Sequence, residues 1–298
     1  MISTQFIDRF LNRRIRVTGD DDPRLSNCQD DRYQWMRLDN LKVSPRVLDE
    51  ILRQRHIPSG FELRYDKRLA VIIPFRNRES HLQRLVPALK KHLQKEDIDH
   101  AIFVVEQSDD KLFNRAKLVN CGVKIAGNNF DYYCIHDVDM LPVNCSYGYP
   151  SSPLRLVSHA NSNQGRRDFP SVFFSGIISI TKDDFYSVNG FSNNFWHWGK
   201  EDDNFLLRLL LKGINPVIDE QGCIEEIDDS TDRYNIREEN EIKTDKKKAK
   251  FYIKRNHKNQ QKVARGLINP HGEGLSNVEY ALICLEQHEN YTLAKVRL

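Results

Sequence analysis

The chain has 298 residues, of which 39% are hydrophobic and 29% charged, and its formal net charge is +3. This length suits one large α/β domain, or one domain with an additional arm. The small net charge argues against a nucleic-acid partner, and no apolar run approaches the ~20 residues that span a bilayer. Residues 1–14 become charged too early for a secretory signal, which predicts a cytoplasmic protein of bacterial or viral type.

The first half of the chain alternates apolar runs with helical spacing. Residues 1–66 are polar and irregular and predict an N-terminal arm, whereas residues 67–298 predict the main domain. Apolar runs at 69–75 and 101–105 are typical of buried parallel strands, and 132–135 adds a third strand. Strand and helix in alternation predict a doubly wound α/β sheet, whose ligands bind beyond the carboxyl ends of the strands.

The second half is less regular. Residues 146–170 are rich in Ser, Pro, Asn and Gly and predict a long loop, and residues 172–180 predict a further strand. The segment 228–260 is highly charged and includes Lys246, Lys247 and Lys248 in a run. We interpret it as a solvated segment in preference to an anion-binding patch.

A D-x-D motif follows the third predicted strand directly. It consists of Asp137 and Asp139, at the edge where ligands bind. Carboxylate oxygens suit Mg²⁺ or Mn²⁺, which bind through one or two carboxylates and substrate phosphates. Such a metal would neutralise a nucleotide diphosphate leaving group. The alternative is that the two acids only cap a turn.

Two further motifs lie beside predicted strands. Arg76 and Arg78 follow the first strand and can hold a diphosphate through charge-assisted hydrogen bonds, although arginines at such a turn also commonly face water. Phe173, Phe174 and Gly176 are expected at the start of the later strand. The glycine permits close backbone approach to a ligand, while the two rings are equally suited to the core.

Residues 195–203 read Phe-Trp-His-Trp-Gly-Lys-Glu-Asp-Asp. A tryptophan ring can stack on a sugar while its N–H donates a hydrogen bond beside it. The apolar run 205–211 predicts a helix whose first turn carries the acids, where the helix dipole stabilises them. A carboxylate beside an aromatic platform is also placed to act on a sugar hydroxyl.

Together these motifs resemble the β-1,4-galactosyltransferases, glycosyltransferase family seven. The resemblance covers roughly residues 69–298 in the family's order, and the His-Asp-Val-Asp form looks most like the branch that galactosylates xylose on proteoglycan linkers. It is carried by Ile73-Pro-Phe-Arg-Asn-Arg-Glu, Phe113-Asn-Arg-Ala-Lys, His136-Asp-Val-Asp-Met-Leu-Pro-Val-Asn, Phe174-Ser-Gly, Asn189-Gly-Phe-Ser-Asn-Asn-Phe-Trp-His-Trp-Gly-Lys-Glu-Asp-Asp and Gly274-Leu-Ser-Asn.

The resemblance implies a GT-A fold, with a mostly parallel twisted sheet flanked by helices. It also implies a UDP-galactose donor, a saccharide or glycoconjugate acceptor, a β-1,4 linkage formed with inversion, and Mn²⁺ as cofactor, with Mg²⁺ as the alternative. Animal relatives are Golgi enzymes on a membrane anchor, so the Golgi lumen is the alternative location. Inverting transfer is a single displacement, which needs one general base and a metal at the leaving group.

The resemblance assigns a role to each matched residue. The donor side comprises the UDP contacts Arg76 and Arg78, the uridine contact Phe113, the nucleotide-sugar ligand Asp137 and the direct metal ligand Asp139. The other matched residues are Trp198 on a loop that closes over the donor, Gly199 as its candidate hinge, and Glu201 and Asp202 as ligands of acceptor or donor hydroxyls, with Asp202 as the catalytic base.

Two departures from the family's pattern leave alternatives open. Its further metal ligands include a histidine, which is missing from 223–229; there Glu225 and Asp228 could supply oxygen ligands or could be plain surface acids. Phe173 stands where galactose-selective enzymes carry a tyrosine, so galactose remains the favoured sugar and N-acetylgalactosamine stays open. The alternative functions are a different UDP-sugar transferase in capsule synthesis and a catalytically inactive sugar-binding relative.

Overall fold

The computed structural model describes residues 36–38, 41–43, 61–162, 165–169, 173–197, 199–227, 246–264 and 267–298. Most of the predicted N-terminal arm, residues 1–66, lies outside these ranges. Among the helices so described, none combines the length and the apolar character needed to cross a membrane.

An eight-stranded sheet forms the centre of the fold. Its strand order is β13-β9-β12-β6-β4-β5-β16-β15, and four of its seven pairings are parallel. The strands are β4 (Leu69–Phe75), β5 (His100–Gln107), β6 (Tyr132–His136), β9 (Leu154–Arg155), β12 (Ile177–Thr181), β13 (Val217–Ile218), β15 (Ala281–Gln287) and β16 (Thr292–Arg297). The predicted GT-A type of α/β architecture is therefore present, with antiparallel pairings on both sides of β12 and between β16 and β15.

Strand β4 shows why this sheet forms. All seven of its residues are buried, as expected for a central strand with neighbours on both sides. Alternate side chains enter opposite apolar layers: Ala70 and Ile72 face one, Val71 and Ile73 the other. Pro74 lacks an N–H, and it lies beyond the last residue that pairs with β6, where no donor is needed on that side.

Helices cover both faces of the sheet. Helix α1 buries Leu82, Leu85, Val86, Leu89 and Leu93 in one layer, at the spacing predicted from the sequence. The described helices are α1 (Glu79–Lys95), α2 (Arg115–Ala126), α3 (Lys182–Ser187), α4 (Glu201–Leu211) and α5 (Lys246–Ala264). In α2, a Cβ on Gly122 would lie 2.5 Å from Ile72 Cγ2, so glycine permits this helix to lie close to β4.

A second sheet lies beside the first and corrects one prediction. Its order is β11-β10-β14-β7, from β7 (Met140–Asn144), β10 (His159–Ser162), β11 (Gly165–Asp168) and β14 (Cys223–Glu226). The segment 146–170 is thus not a long loop, because it contains β8 (Tyr149–Pro150), β9, β10 and β11. Each has only two to four residues, which is too short for a period-two pattern to show in the sequence.

Two other expectations also change. Phe173 to Gly176 precede the strand, since β12 begins at Ile177. Residues 246–260 belong to α5 and are not a loose charged segment, while 228–245 lie outside the described residues. The remaining described elements are β1 (Met36–Leu38), β2 (Leu41–Val43), β3 (Leu63–Arg64) and two 3₁₀ turns, Pro270–Gly272 and Leu275–Asn277.

Candidate active site at the carboxyl edge of the sheet

The chemically active side chains meet where the parallel strands end. Arg76 and Arg78 follow β4, Arg115 opens the helix after β5, and Asp137 and Asp139 follow β6. The amide of Asp137 donates to the carbonyl of Gly176 (3.0 Å), which attaches the D-x-D turn to the residue just before β12. The sequence motifs are therefore brought together by the sheet topology, as expected for ligand sites of this architecture.

One arginine holds two of the acids. Arg115 Nε donates to Asp137 Oδ1 (2.7 Å), and its Nη1 donates to Asp202 Oδ1 (2.9 Å). Glu201 lies beside them and is 8% exposed. We call Arg115, Asp137, Glu201 and Asp202 the Arg115 cluster. Glu201 and Asp202 come from the first turn of helix α4, and Arg115 is the first residue of α2.

Two polar atoms of the Arg115 cluster are buried without a hydrogen bond inside the described part of the chain. They are Arg115 Nη2 and Glu201 Oε2. A buried donor or acceptor without a partner costs free energy, and such atoms often mark the place of a missing ligand or water. A donor and an acceptor of this kind in one cluster fit a ligand with hydroxyl groups.

Burial sets the acid–base properties of the Arg115 cluster. It raises the pKa of Asp202 well above the ordinary value, and it raises the pKa of Glu201 and of Asp137 as well. The charge of Arg115 acts in the opposite direction on all three carboxyls, and a hydrogen bond from Ser175 also lowers the pKa of Asp202. A carboxylate with a raised pKa is a stronger base, so Asp202 is suited to accept a proton from a hydroxyl.

The second group of acids lies at the antiparallel pair of strands β7 and β14, which come from distant parts of the sequence. Arg78 Nη1 donates to Asp139 Oδ2 (3.0 Å), and the amide of Ile227 donates to the carbonyl of Asp139 (3.0 Å). Glu225 pairs with Leu141, which lies two residues after Asp139 on the neighbouring strand. Asp139 and Glu225 are therefore diagonal neighbours on one side of this strand pair. We call them the β7–β14 acids.

The β7–β14 acids could supply some, but not all, of the ligands of a hard divalent cation. Both supply only oxygen, which suits Mn²⁺ or Mg²⁺. Glu225 is half exposed and lies 3.5 Å from Arg84 Nη2. Within the described ranges no three His, Cys, Asp or Glu residues are grouped so as to hold a metal ion, and Asp228 lies outside those ranges. A cation here would take its other ligands from a diphosphate and water, as Mg²⁺ commonly does.

The Phe113 loop connects Arg76 to the segment that precedes α4. The guanidinium of Arg76 lies 5.2 Å from the centre of the Phe113 ring, and its Nη1 donates to the carbonyl of Lys111 (2.7 Å). The amide of His197 donates to the carbonyl of Phe113 (2.8 Å). The segment before α4 is thereby fixed to the Phe113 loop.

The start of α4 is preceded by unusual backbone. Gly199 has φ of 102° and Lys200 has φ of 77°. Only glycine adopts such angles without strain, so this backbone suits a glycine at 199, and the hinge role of Gly199 stays a prediction. Lys200 Nζ forms an ion pair with Asp203 (2.8 Å), which places that third acid outside the Arg115 cluster. The predicted aromatic platform at Trp198 lies outside the described residues.

The residues expected to choose the donor sugar are fixed by neighbours. Phe173 stacks on Phe169 with ring centres 5.3 Å apart, and its carbonyl accepts from the buried Arg155. Gly176 has φ of 83°, and a Cβ there would lie 2.8 Å from Met140 Sδ. The close approach that Gly176 permits in this structure is to Met140 beside the D-x-D turn.

Sequence reasoning missed two residues at this site. Arg115 belongs to a motif in which only Phe113 received a role, and Ser175 received none. A signal for Arg115 was available: a cation in the first turn of a helix is opposed by the helix dipole, so it needs acidic partners nearby. Ser175 gave no comparable signal.

Comparison with known proteins identifies the family of this chain. A model of the N-terminal region of glycosyl transferase group 7 matches residues 52–151, and a model described as the N-terminal domain of galactosyltransferase matches 155–239. Xylosylprotein 4-beta-galactosyltransferase of Caenorhabditis elegans is 34% identical over 227 residues, covering 76% of this chain and 74% of the relative.

Beta-1,4-galactosyltransferase 4 of Cricetulus griseus is 34% identical over 236 residues, covering 76% of this chain. The match spans 62% of that relative, which is less than two thirds of its length. Among solved structures, a Drosophila β-1,4-galactosyltransferase 7 variant in complex with manganese, UDP-Gal and xylobiose has a TM-score of 0.62 and 28% identity. That similarity covers 78% of this chain and 94% of the solved one.

Proposed function

Because the chain belongs to the β-1,4-galactosyltransferases of glycosyltransferase family seven, we propose that it transfers galactose from UDP-galactose to a hydroxyl of an acceptor sugar, with inversion and a β-1,4 linkage. The observation that carries this proposal is the Arg115 cluster. A partly buried base, a fixed cation and unpartnered polar atoms meet there beside the D-x-D turn.

Asp202 is the proposed general base. Its carboxylate accepts the proton of the acceptor hydroxyl while the hydroxyl oxygen bonds to the anomeric carbon. The bond from that carbon to the phosphate oxygen breaks, and its electron pair leaves with UDP. Arg115 holds Oδ1 of Asp202, so the side chain keeps one orientation. General bases of this kind contribute roughly 10²- to 10⁴-fold to rate.

The donor diphosphate is proposed to lie between the β7–β14 acids and the arginines that follow β4. Asp139 would bind Mn²⁺, or Mg²⁺ as the alternative, with Glu225 and Asp228 as the proposed additional ligands. When bound, the metal stabilises negative charge on the departing diphosphate. Arg78 already lies 3.0 Å from Asp139, so it can neutralise phosphate oxygens at the same place. Arg76 lies against Phe113, the proposed uridine contact.

A xyloside is the acceptor that we propose to test first. The Caenorhabditis elegans relative is named a xylosylprotein galactosyltransferase, and the Drosophila structure contains xylobiose. The His-Asp-Val-Asp form of the turn supports the same choice.

His136 is buried between the Asp137 carbonyl and the Tyr147 hydroxyl, both 2.9 Å away, and burial lowers its pKa to about 4. It is therefore neutral, and it supports the turn without adding charge. The cellular compartment stays a prediction.

Turnover assays test the proposal. We expect UDP-galactose to be consumed with Mn²⁺ and a β-xyloside, and EDTA to stop the reaction. N-acetylglucosamine and glucose serve as competing acceptors, and UDP-N-acetylgalactosamine serves as the competing donor because Phe173 lacks a hydroxyl. If no UDP-sugar is turned over while UDP still binds, the chain is an inactive sugar-binding relative and the proposal is wrong.

A further inference from the structure

Helix α5 carries a basic stripe on its solvent side. At 100° per residue, Phe251, Lys254, Arg255, Lys258 and Lys262 fall within about 100° of arc. All five side chains are exposed, and Phe251 is 60% exposed despite its apolar ring. With a rise of 1.5 Å per residue, the stripe is about 16 Å long. We call these five residues the α5 stripe.

The opposite side of α5 attaches the helix to the catalytic domain. Asn256, Gln260 and Val263 are buried. Asn256 Nδ2 donates to the carbonyl of Trp196 (3.0 Å), and Asn204 Nδ2 on α4 donates to Gln260 Oε1 (3.1 Å). The α5 stripe therefore points away from α4 and from the carboxylates that α4 presents.

The charge of α5 is unusually one-sided. Its sequence contains eight Lys or Arg residues and no Asp or Glu. A solvated surface helix usually mixes charges of both signs, since opposite charges four residues apart stabilise it. Here Lys254, Lys258 and Lys262 follow one another at that spacing and repel. No acidic side chain in the described ranges forms an ion pair with the four cations of the α5 stripe.

We propose that the α5 stripe docks the catalytic domain on a membrane surface that contains anionic phospholipid. The four cations would lie against lipid headgroups, as basic segments do at anionic membrane surfaces, and the exposed ring of Phe251 would enter the interface. A straight stripe on the outer side of a helix suits a planar surface. An anionic acceptor bound in the active site would instead have to bend round α5 to reach the stripe.

Vesicle co-sedimentation tests this proposal. We expect the protein to bind phosphatidylcholine vesicles that contain phosphatidylserine, to bind pure phosphatidylcholine vesicles much more weakly, and to dissociate as salt rises. Each Lys or Arg near such a surface contributes roughly fivefold to affinity. The variant K254Q/R255Q/K258Q/K262Q should therefore bind at least about a hundredfold more weakly, and F251A should bind more weakly even at high salt.

A matched control removes the same charge elsewhere. K91Q/K95Q/K124Q/K212Q changes four exposed lysines outside α5 and should retain most of the binding. Absence of binding by the wild-type chain, or equal loss in both quadruple variants, would overturn the proposal. Binding to heparin without binding to anionic vesicles would also overturn it and assign the α5 stripe to an anionic polymer. The assay needs no catalysis, so its failure is separate from failure of the proposed transferase activity.

Discussion

The Arg115 cluster and the β7–β14 acids meet at the D-x-D turn, which supplies Asp137 to the first group and Asp139 to the second, but they differ in how their charge is balanced. In the Arg115 cluster one buried carboxyl, that of Glu201, and two partly buried ones share one arginine, and desolvation raises the pKa of each. Each of the β7–β14 acids has an arginine of its own: Arg78 for Asp139 and Arg84 for Glu225. The Arg115 cluster therefore has an excess of negative charge, whereas the other group is close to neutral.

This difference in charge balance indicates that the two groups have different roles in the proposed reaction. A shared cation leaves negative charge uncompensated, which favours proton uptake by Asp202 from an acceptor hydroxyl. Arginines paired one to one with acids can exchange those partners for phosphate oxygens when a nucleotide and its metal arrive. The first arrangement suits acid–base chemistry, and the second suits binding of an anionic donor with its cation.

The largest expected effect comes from removing the base. Asp202→Asn keeps the size of the side chain and its acceptor for Arg115, but the amide cannot take up a proton. We expect kcat to fall by roughly 10²- to 10⁴-fold while the Kd for UDP-galactose stays within about twofold, since the donor is held elsewhere. Asp203→Asn is the matched control, because Asp203 pairs with Lys200. If Asp202→Asn retains wild-type kcat, Asp202 is not the base.

Removing the shared cation should have the next largest effect. Arg115→Gln leaves the carboxyls of the Arg115 cluster without their main stabilising charge. Breaking a buried pair on one side costs about 3 kcal/mol, which urea denaturation would measure. The activity loss should exceed the loss caused by Arg84→Gln, because Arg84 balances an exposed acid.

The pH profile distinguishes an electrostatic role of Arg115 from simple unfolding. Asp202 must be ionised to act, so kcat/KM should rise with pH through its pKa, which burial places above the ordinary ~3.9. Arg115 favours the charged carboxylate, so Arg115→Gln should move this acidic limb to still higher pH. A limb that stays in place in a folded variant would show that Arg115 does not control the base.

The sequence predicted the central elements well because their physical signals are strong. Strand β4 is seven apolar residues in a row, and α1 places its apolar residues at helical spacing over 17 residues. The D-x-D turn was placed correctly at a strand end for the same reason. Its neighbours could be inferred from topology, since the carboxyl ends of parallel strands share one edge.

The second sheet and the contacts of Arg115 could not be predicted from the sequence, because they depend on residues that are distant along the chain. Strand β10 pairs with β14 more than sixty residues later, and neither is long enough to show a period. Arg115 meets Asp202 across 87 positions, and no local pattern reports such a contact. The one-sided charge of α5 was visible in the sequence, but its direction away from α4 required the positions of Asn256 and Gln260.

The smallest predicted effect concerns Glu225. Its measurement decides whether both β7–β14 acids bind the metal. An exposed ion pair contributes about 0–1 kcal/mol, so Glu225→Gln and Arg84→Gln should both leave thermal stability nearly unchanged. If Glu225 is a metal ligand, Glu225→Gln should weaken Mn²⁺ binding in the presence of UDP by up to about tenfold, whereas Arg84→Gln should not. Calorimetric titration with Mn²⁺ measures both. Equal Mn²⁺ affinity in the two variants would mean that Asp139 is the ligand from this strand pair and that Glu225 only forms a surface ion pair with Arg84.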